Sequence, residues 1–132
     1  MLSDHLRFWH GAERIQVPTR PWELMQIGNA GAPIETEAGW LVVTHGVGPM
    51  RRYALGAMLL STDDPLRVTG QLREPLLVPH ERERYGYVPD VVYSCGSLLH
   101  GDRLVIAHGA FDTSTNFATV EVDALLTELT RP

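Results

Sequence analysis

The chain has 132 residues, 44% of them hydrophobic, a length and composition suited to one packed domain and not to a disordered segment. Its formal charge of −5 argues against DNA or RNA as a partner, because polyanion binding needs a concentrated basic face to displace counterions. All eleven basic side chains are arginine, which excludes a Schiff-base lysine or the lysine of a phosphate-binding loop.

At the N-terminus, Asp4, His5 and Arg7 interrupt the apolar stretch of residues 1–9, which is therefore unlike a signal peptide. No run approaches transmembrane length, so no membrane association is expected. Strand-length runs rich in Val, Leu and Tyr follow at residues 40–44, 53–60, 88–93, 103–107 and 117–122, with little helical periodicity. Gly39, Gly46, Gly48-Pro49, Gly96 and Gly101-Asp102 are expected to supply turns. A short C-terminal helix is expected over residues 124–129, capped by Asp123. The fold class predicted is all-β.

Cys95 is the single cysteine; it cannot form an internal disulfide, and no Cys/His spacing suits zinc, so a reducing, cytoplasmic setting is expected with no metal and no cofactor. No basic residue adjoins Cys95 in sequence, which favours a buried structural role over a nucleophile. The alternating charges of His80-Glu81-Arg82-Glu83-Arg84 read as a solvated loop with local ion pairs. Asp63-Asp64 before Pro65 reads as a turn.

An internal repeat is visible. Leu41-Val42-Val43-Thr44-His45-Gly46-Val47 returns as Leu104-Val105-Ile106-Ala107-His108-Gly109-Ala110, and Tyr53-Ala54 returns as Phe117-Ala118. Leu2-Ser3, Leu6-Arg7 and Val17-Pro18 echo Leu60-Ser61, Leu66-Arg67 and Val78-Pro79. Residues 1–18 thus read as the end of a missing blade, 19–79 as a first complete repeat and 80–132 as a second. A repeat of about 60 residues is a generous propeller blade. About two blades plus a remnant would leave an open flank, which self-association or missing N-terminal blades would cover.

The segment Gly28-Asn29-Ala30-Gly31-Ala32-Pro33-Ile34-Glu35-Thr36, followed by Gly39-Trp40-Leu41 and His45-Gly46-Val47, resembles the signature of glycoside hydrolase family 130. In that signature a G-x-G-x-P-I-x-T turn precedes G-W-L and H-G-V. The resemblance continues through Arg52-Tyr53-Ala54, Val88-Pro89-Asp90-Val91-Val92-Tyr93 and Gly109-Ala110-Phe111-Asp112-Thr113. It implies part of a five-bladed β-propeller whose relatives are β-mannoside phosphorylases, with some β-mannosidases. It also implies a β-mannoside or related oligosaccharide as substrate, and inorganic phosphate as co-substrate in an inverting phosphorolysis. The general acid would be an aspartate from an early blade, upstream of Met1, so no catalytic residue is expected within the chain and the isolated chain is expected to be inactive.

By that resemblance His45 lines the pocket and helps hold phosphate, a role an imidazole N–H suits; a strand-end histidine bonded to a turn carbonyl is the plainer reading. His108, at the equivalent repeat position, reads as structural. Arg52 suits phosphate or sugar hydroxyls as a guanidinium fork, Arg51 less so, and either also reads as a surface arginine. Tyr53 reads equally as a pocket phenol or as an aromatic packed between blades. Asp112 matches a loop whose aspartate accepts mannosyl hydroxyls, or closes an Asx turn. Asp90 stands where many members carry asparagine, and a turn role is as good a reading. Met25-Gln26 occupies a place where a basic residue often stands, which keeps hydrolysis without phosphate as an alternative; a noncatalytic carbohydrate-binding or assembly module is another.

Overall fold

A computed structural model describes residues 3–80, 89–110 and 114–131. The strands are β1 (Gln26–Asn29), β2 (Ile34–Thr36), β3 (Gly39–Val47), β4 (Tyr53–Leu60), β5 (Val68–Gln71), β6 (Val92–His100), β7 (Arg103–Ala110) and β8 (Ser114–Glu121), followed by helix α1 (Val122–Leu129). They form two antiparallel sheets. The first runs β1-β3-β4-β5 with β2 also on β3, and the second runs β6-β7-β8.

Strand β3 is apolar at nearly every position, and so is β4, because both faces of this hairpin are covered. On one face Leu41, Val43, Leu55, Ala57 and Leu59 pack in a single cluster with Val92, Leu104 and Ile106 of the second sheet and Leu125 and Leu129 of α1. On the other face Val42, Met58 and Leu60 pack with Ile15, Trp40 and Val68. Strand β7 instead alternates, burying Leu104, Ile106, His108 and Ala110 while turning Arg103 and Ala107 outward. Its sheet has one packed face and one open face, and Leu98 and Phe117 are exposed.

The segment before β1 is held down by polar and aromatic contacts. The Trp22 ring lies across Gly46 and Gly56, where any Cβ would collide with it. Glu23 is fully buried; its carboxylate accepts the backbone N–H groups of Thr19 at 3.0 Å and Arg20 at 3.3 Å and the Gln71 amide at 3.2 Å. Gln16 donates to Gln71 at 2.7 Å, tying the same segment to β5.

Several sequence expectations are revised. Gly46 and Gly96 are strand residues, not turns: Gly46 makes room for Trp22, and Gly96 follows a register shift in β6. The run expected at 88–93 starts as a strand only at Val92, after Asp90 in a left-handed conformation (φ 59°), while Val88 lies outside the described residues. Helix α1 begins at Val122, whose N–H donates to the Asp102 carbonyl at 2.9 Å. Asp123 therefore sits within the first turn, where its charge complements the helix dipole, and does not cap. Cys95 is exposed, since the β6 irregularity sends the Ser94 hydroxyl inward to the Ala107 carbonyl (2.7 Å) and leaves the thiol outside. Tyr53 pairs with Val47, whereas Phe117 pairs with Ala107, so these two aromatics are not equivalent in their hairpins. The charged stretch 81–84 lies outside the described residues.

Candidate functional site

His45 projects from the inner face of β3 near the end of the strand. Its direct partner across the ladder in β1 is Gly28, and its partner in β4 is Leu55. The imidazole lies over Gly28, with Nδ1 3.1 Å from the carbonyl oxygen of Asn29. The ring of Tyr93, from the start of β6, stands 5.3 Å away centroid to centroid at 51°. His45 is half-buried and Tyr93 is exposed, so the pair forms a rim where the two sheets meet.

Tyr53 lies on the same face as His45, two ladder positions further along, opposite Val47. Its backbone N–H donates to the Asp90 carbonyl at 2.9 Å, which fastens the first sheet's hairpin to the turn leading into β6. Asp90 is half-buried there, and its left-handed backbone fits the turn reading. The structure thus gathers His45, Tyr53 and Asp90 at one end of the seam between the sheets. Met25 reaches that end too, since its N–H donates to the Val47 carbonyl at 2.9 Å; its side chain is uncharged and exposed.

The arginines are placed differently. Residues 48–52 close the β3–β4 hairpin, with the Gly48 N–H donating to the Arg52 carbonyl at 2.9 Å. Arg52 is exposed and lines a cleft of about 390 Å³ with Pro21, Trp22, Pro49, Ala54 and Val78, on the Trp22 side of the sheet and not on the His45 side. Arg51 is exposed with φ 56°. Asp112 lies outside the described residues; Ala110 and Ser114, on either side of residues 111–113, pair with one another, and Ala110 pairs with Val92. His108 is buried, opposite Asn116, and among the described residues its Nδ1 has no hydrogen-bond partner. A larger cleft of about 510 Å³ between α1 and residues 72–76 contains none of the sequence-predicted residues.

The sequence motifs alone do not mark Tyr93 as a site residue. Its signal was present in the motif Val91-Val92-Tyr93, but only the packing of the two sheets brings its ring against His45. Gly28 likewise belongs to the motif's expected turn, whereas in the structure it is a strand residue whose bare Cα supports the imidazole. Among the described residues no group of three or more His, Cys, Asp or Glu could hold a metal ion. Chemically, the rim offers an imidazole, two phenols and backbone carbonyls, which suit hydroxyl recognition and stacking on a sugar face.

Residues 8–131 match the family model of glycoside hydrolase family 130, described as beta-1,4-mannooligosaccharide phosphorylase. Among curated relatives, the 1,2-beta-oligomannan phosphorylase of Thermoanaerobacter sp. strain X514 is 36% identical over 122 residues, covering 91% of this chain and 41% of the relative. The beta-1,2-mannobiose phosphorylase of the same organism is 43% identical over 101 residues, covering 76% of this chain and 33% of the relative. Among solved structures, the beta-1,2-mannobiose phosphorylase of Listeria innocua, in complex with beta-1,2-mannobiose, aligns with a TM-score of 0.79 and 34% identity, over 86% of this chain and 32% of that one. The chain therefore spans well under half the length of these relatives, and its two sheets and C-terminal helix correspond to part of their fold. The chain belongs to glycoside hydrolase family 130, the family of the β-mannoside phosphorylases.

Proposed function

We propose that this chain provides part of a mannoside- and phosphate-binding pocket for inverting phosphorolysis of a β-mannoside. The observation that carries the reading is the placement of the family's H-G-V histidine, His45, beside Tyr93 at the seam between two sheets read as adjacent blades. In the proposed reaction a phosphate oxygen forms a bond to the anomeric carbon as the glycosidic C–O bond breaks, and the leaving oxygen takes a proton from a general acid. Inversion follows from attack on the opposite face. That acid is assigned by family resemblance to a region outside residues 1–132, so His45, Tyr53 and Asp112 are binding residues in this reading, with Arg51 and Asp90 as secondary candidates; Arg52, on the Trp22 side of the sheet, is not a ligand of this rim.

The uncharged, exposed Met25 at the site end of β1 favours a second reading, hydrolysis, because the family resemblance implies a basic residue there more often than not. An inverting hydrolase replaces phosphate by a water activated by a second carboxylate, about 6.5–9.5 Å from the acid. A noncatalytic carbohydrate-binding module is the reading of another class.

One assay separates the three. The purified 132-residue chain is incubated with β-1,2-mannobiose, with and without inorganic phosphate, and mannose 1-phosphate and mannose are measured. The expected outcome for the chain by itself is neither product; the same assay with the matched segment of the Listeria phosphorylase replaced by this chain is expected to give mannose 1-phosphate that depends on phosphate. Mannose released equally without phosphate by the chimera would overturn phosphorolysis in favour of hydrolysis. Mannose 1-phosphate from the isolated chain would overturn the assignment of the acid to another region and the noncatalytic reading together.

A further inference from the structure

The contact between His45 and β1 decides which nitrogen of the imidazole can meet a ligand. A backbone carbonyl accepts hydrogen bonds and has none to give, so the 3.1 Å contact to the Asn29 oxygen requires the proton on Nδ1. In the neutral ring Nε2 is then the unprotonated nitrogen, and among the described residues it has no hydrogen-bond partner. The ring reaches this carbonyl from over Gly28, occupying space that a Cβ there would fill. A Cβ at that position would stand 2.7 Å from Cε1 and 2.9 Å from Nε2, closer than side-chain carbons approach. Gly28 lies in a strand and is not among the positive-φ glycines, so an alanine there loses space and nothing else.

We propose that Gly28 is a positioning residue which, with the Asn29 carbonyl, fixes His45 as the Nδ1–H tautomer and makes Nε2 the ligand-facing acceptor. This rests on the reading of the rim as a sugar and phosphate site. The ligand chemistry it selects is an O–H donor, either a mannosyl hydroxyl or the P–OH of hydrogenphosphate. The expectation that neutral His45 offers an N–H to an oxyanion is correspondingly revised, since its N–H is already engaged by Asn29.

Long-range proton–nitrogen NMR on the 132-residue chain, labelled with ¹⁵N-histidine, reads the tautomer without any ligand. The expected wild-type pattern for neutral His45 is a protonated Nδ1 and an unprotonated Nε2; a proton on Nε2 overturns the proposal. In Gly28→Ala the single-tautomer pattern is expected to be lost while the other histidine signals stay in place, and an unchanged His45 pattern overturns the positioning role. Should Gly28→Ala not fold, the wild-type spectrum still decides the tautomer, and Asn29→Pro, which keeps the carbonyl, is expected to keep the wild-type pattern if it folds. Adding β-1,2-mannobiose or inorganic phosphate separately then identifies the donor by which one shifts Nε2. A correct tautomer with no Nε2 shift from either would overturn the sugar and phosphate reading and leave the role of Gly28 standing.

Discussion

At the residue scale, the site turns on atoms that one-letter patterns do not resolve. His45 was legible as a candidate because it sits in an H-G-V motif, but its orientation depends on the backbone of a strand sixteen residues earlier and on a ring from the other sheet. Substitutions that mimic one nitrogen at a time separate the roles. Asparagine at position 45 can keep a donor near the Nδ1 place yet has nothing at Nε2, whereas glutamine can reach the Nε2 place. His45→Gln is expected to retain more affinity for β-1,2-mannobiose than His45→Asn in an NMR titration, and His45→Ala to weaken it by about 0.5–1.5 kcal/mol, the worth of one neutral hydrogen bond. Equal affinities for the Gln and Asn variants would argue against Nε2 as the contact atom. Arg52 shows the opposite limit of sequence reading: it adjoins Tyr53 in the chain yet lines the cleft on the other side of the sheet, because neighbouring residues of an extended chain alternate sides.

At the scale of elements, the long apolar strands were legible and the short ones were not. Strands β3, β4 and β7 announce themselves as long runs rich in Val, Leu, Ile and Ala, and the repeat between β3 and β7 reflects two strands that each pair with the strand following them. Strands β1, β2 and β5 have only three or four residues, too few for a period to show, and they exist because β3 and β4 offer edges to pair with. The glycines misled for a physical reason. Gly46 is not a turn former; together with Gly56, which lies within the expected run 53–60, it makes the bed for Trp22, an interaction between segments far apart in sequence. Gly56→Ala is therefore expected to lower stability by about 1–3 kcal/mol, as overpacking does, measured by chemical denaturation. Glu23→Ala leaves the Gln71 amide and the Thr19 and Arg20 N–H groups without their acceptor and is expected to cost about 1–3 kcal/mol, whereas Glu23→Gln, which keeps an oxygen, is expected to cost less.

At the scale of the molecule, the two sheets share one apolar cluster, in which Leu41, Val43 and Leu55 meet Val92, Leu104 and Ile106. They are expected to unfold together. The chain has three tryptophans, Trp9, Trp22 and Trp40, all before the second sheet, so tryptophan fluorescence follows the N-terminal half while far-ultraviolet circular dichroism follows both sheets. Ile106→Val, in the second sheet, is expected to shift both transitions equally by about 0.5–1.5 kcal/mol; a shift in one signal only would mean two independent units. The all-β class was legible from short runs and turn residues. The contact of one sheet with the other was not, because it is made by residues more than thirty apart whose pairing no local pattern encodes.

The most direct test of the proposed binding site is an NMR titration of the ¹⁵N-labelled chain with β-1,2-mannobiose, then with inorganic phosphate, following every backbone amide. Weak binding is visible in such a titration, so a partial pocket suffices. The expected result is a set of shifts centred on His45, Tyr53 and Tyr93 at the seam between the sheets. Shifts confined to the cleft between α1 and residues 72–76, or no shifts at ligand concentrations far above those that perturb a full-length relative, would contradict the assignment of this rim as the mannoside site.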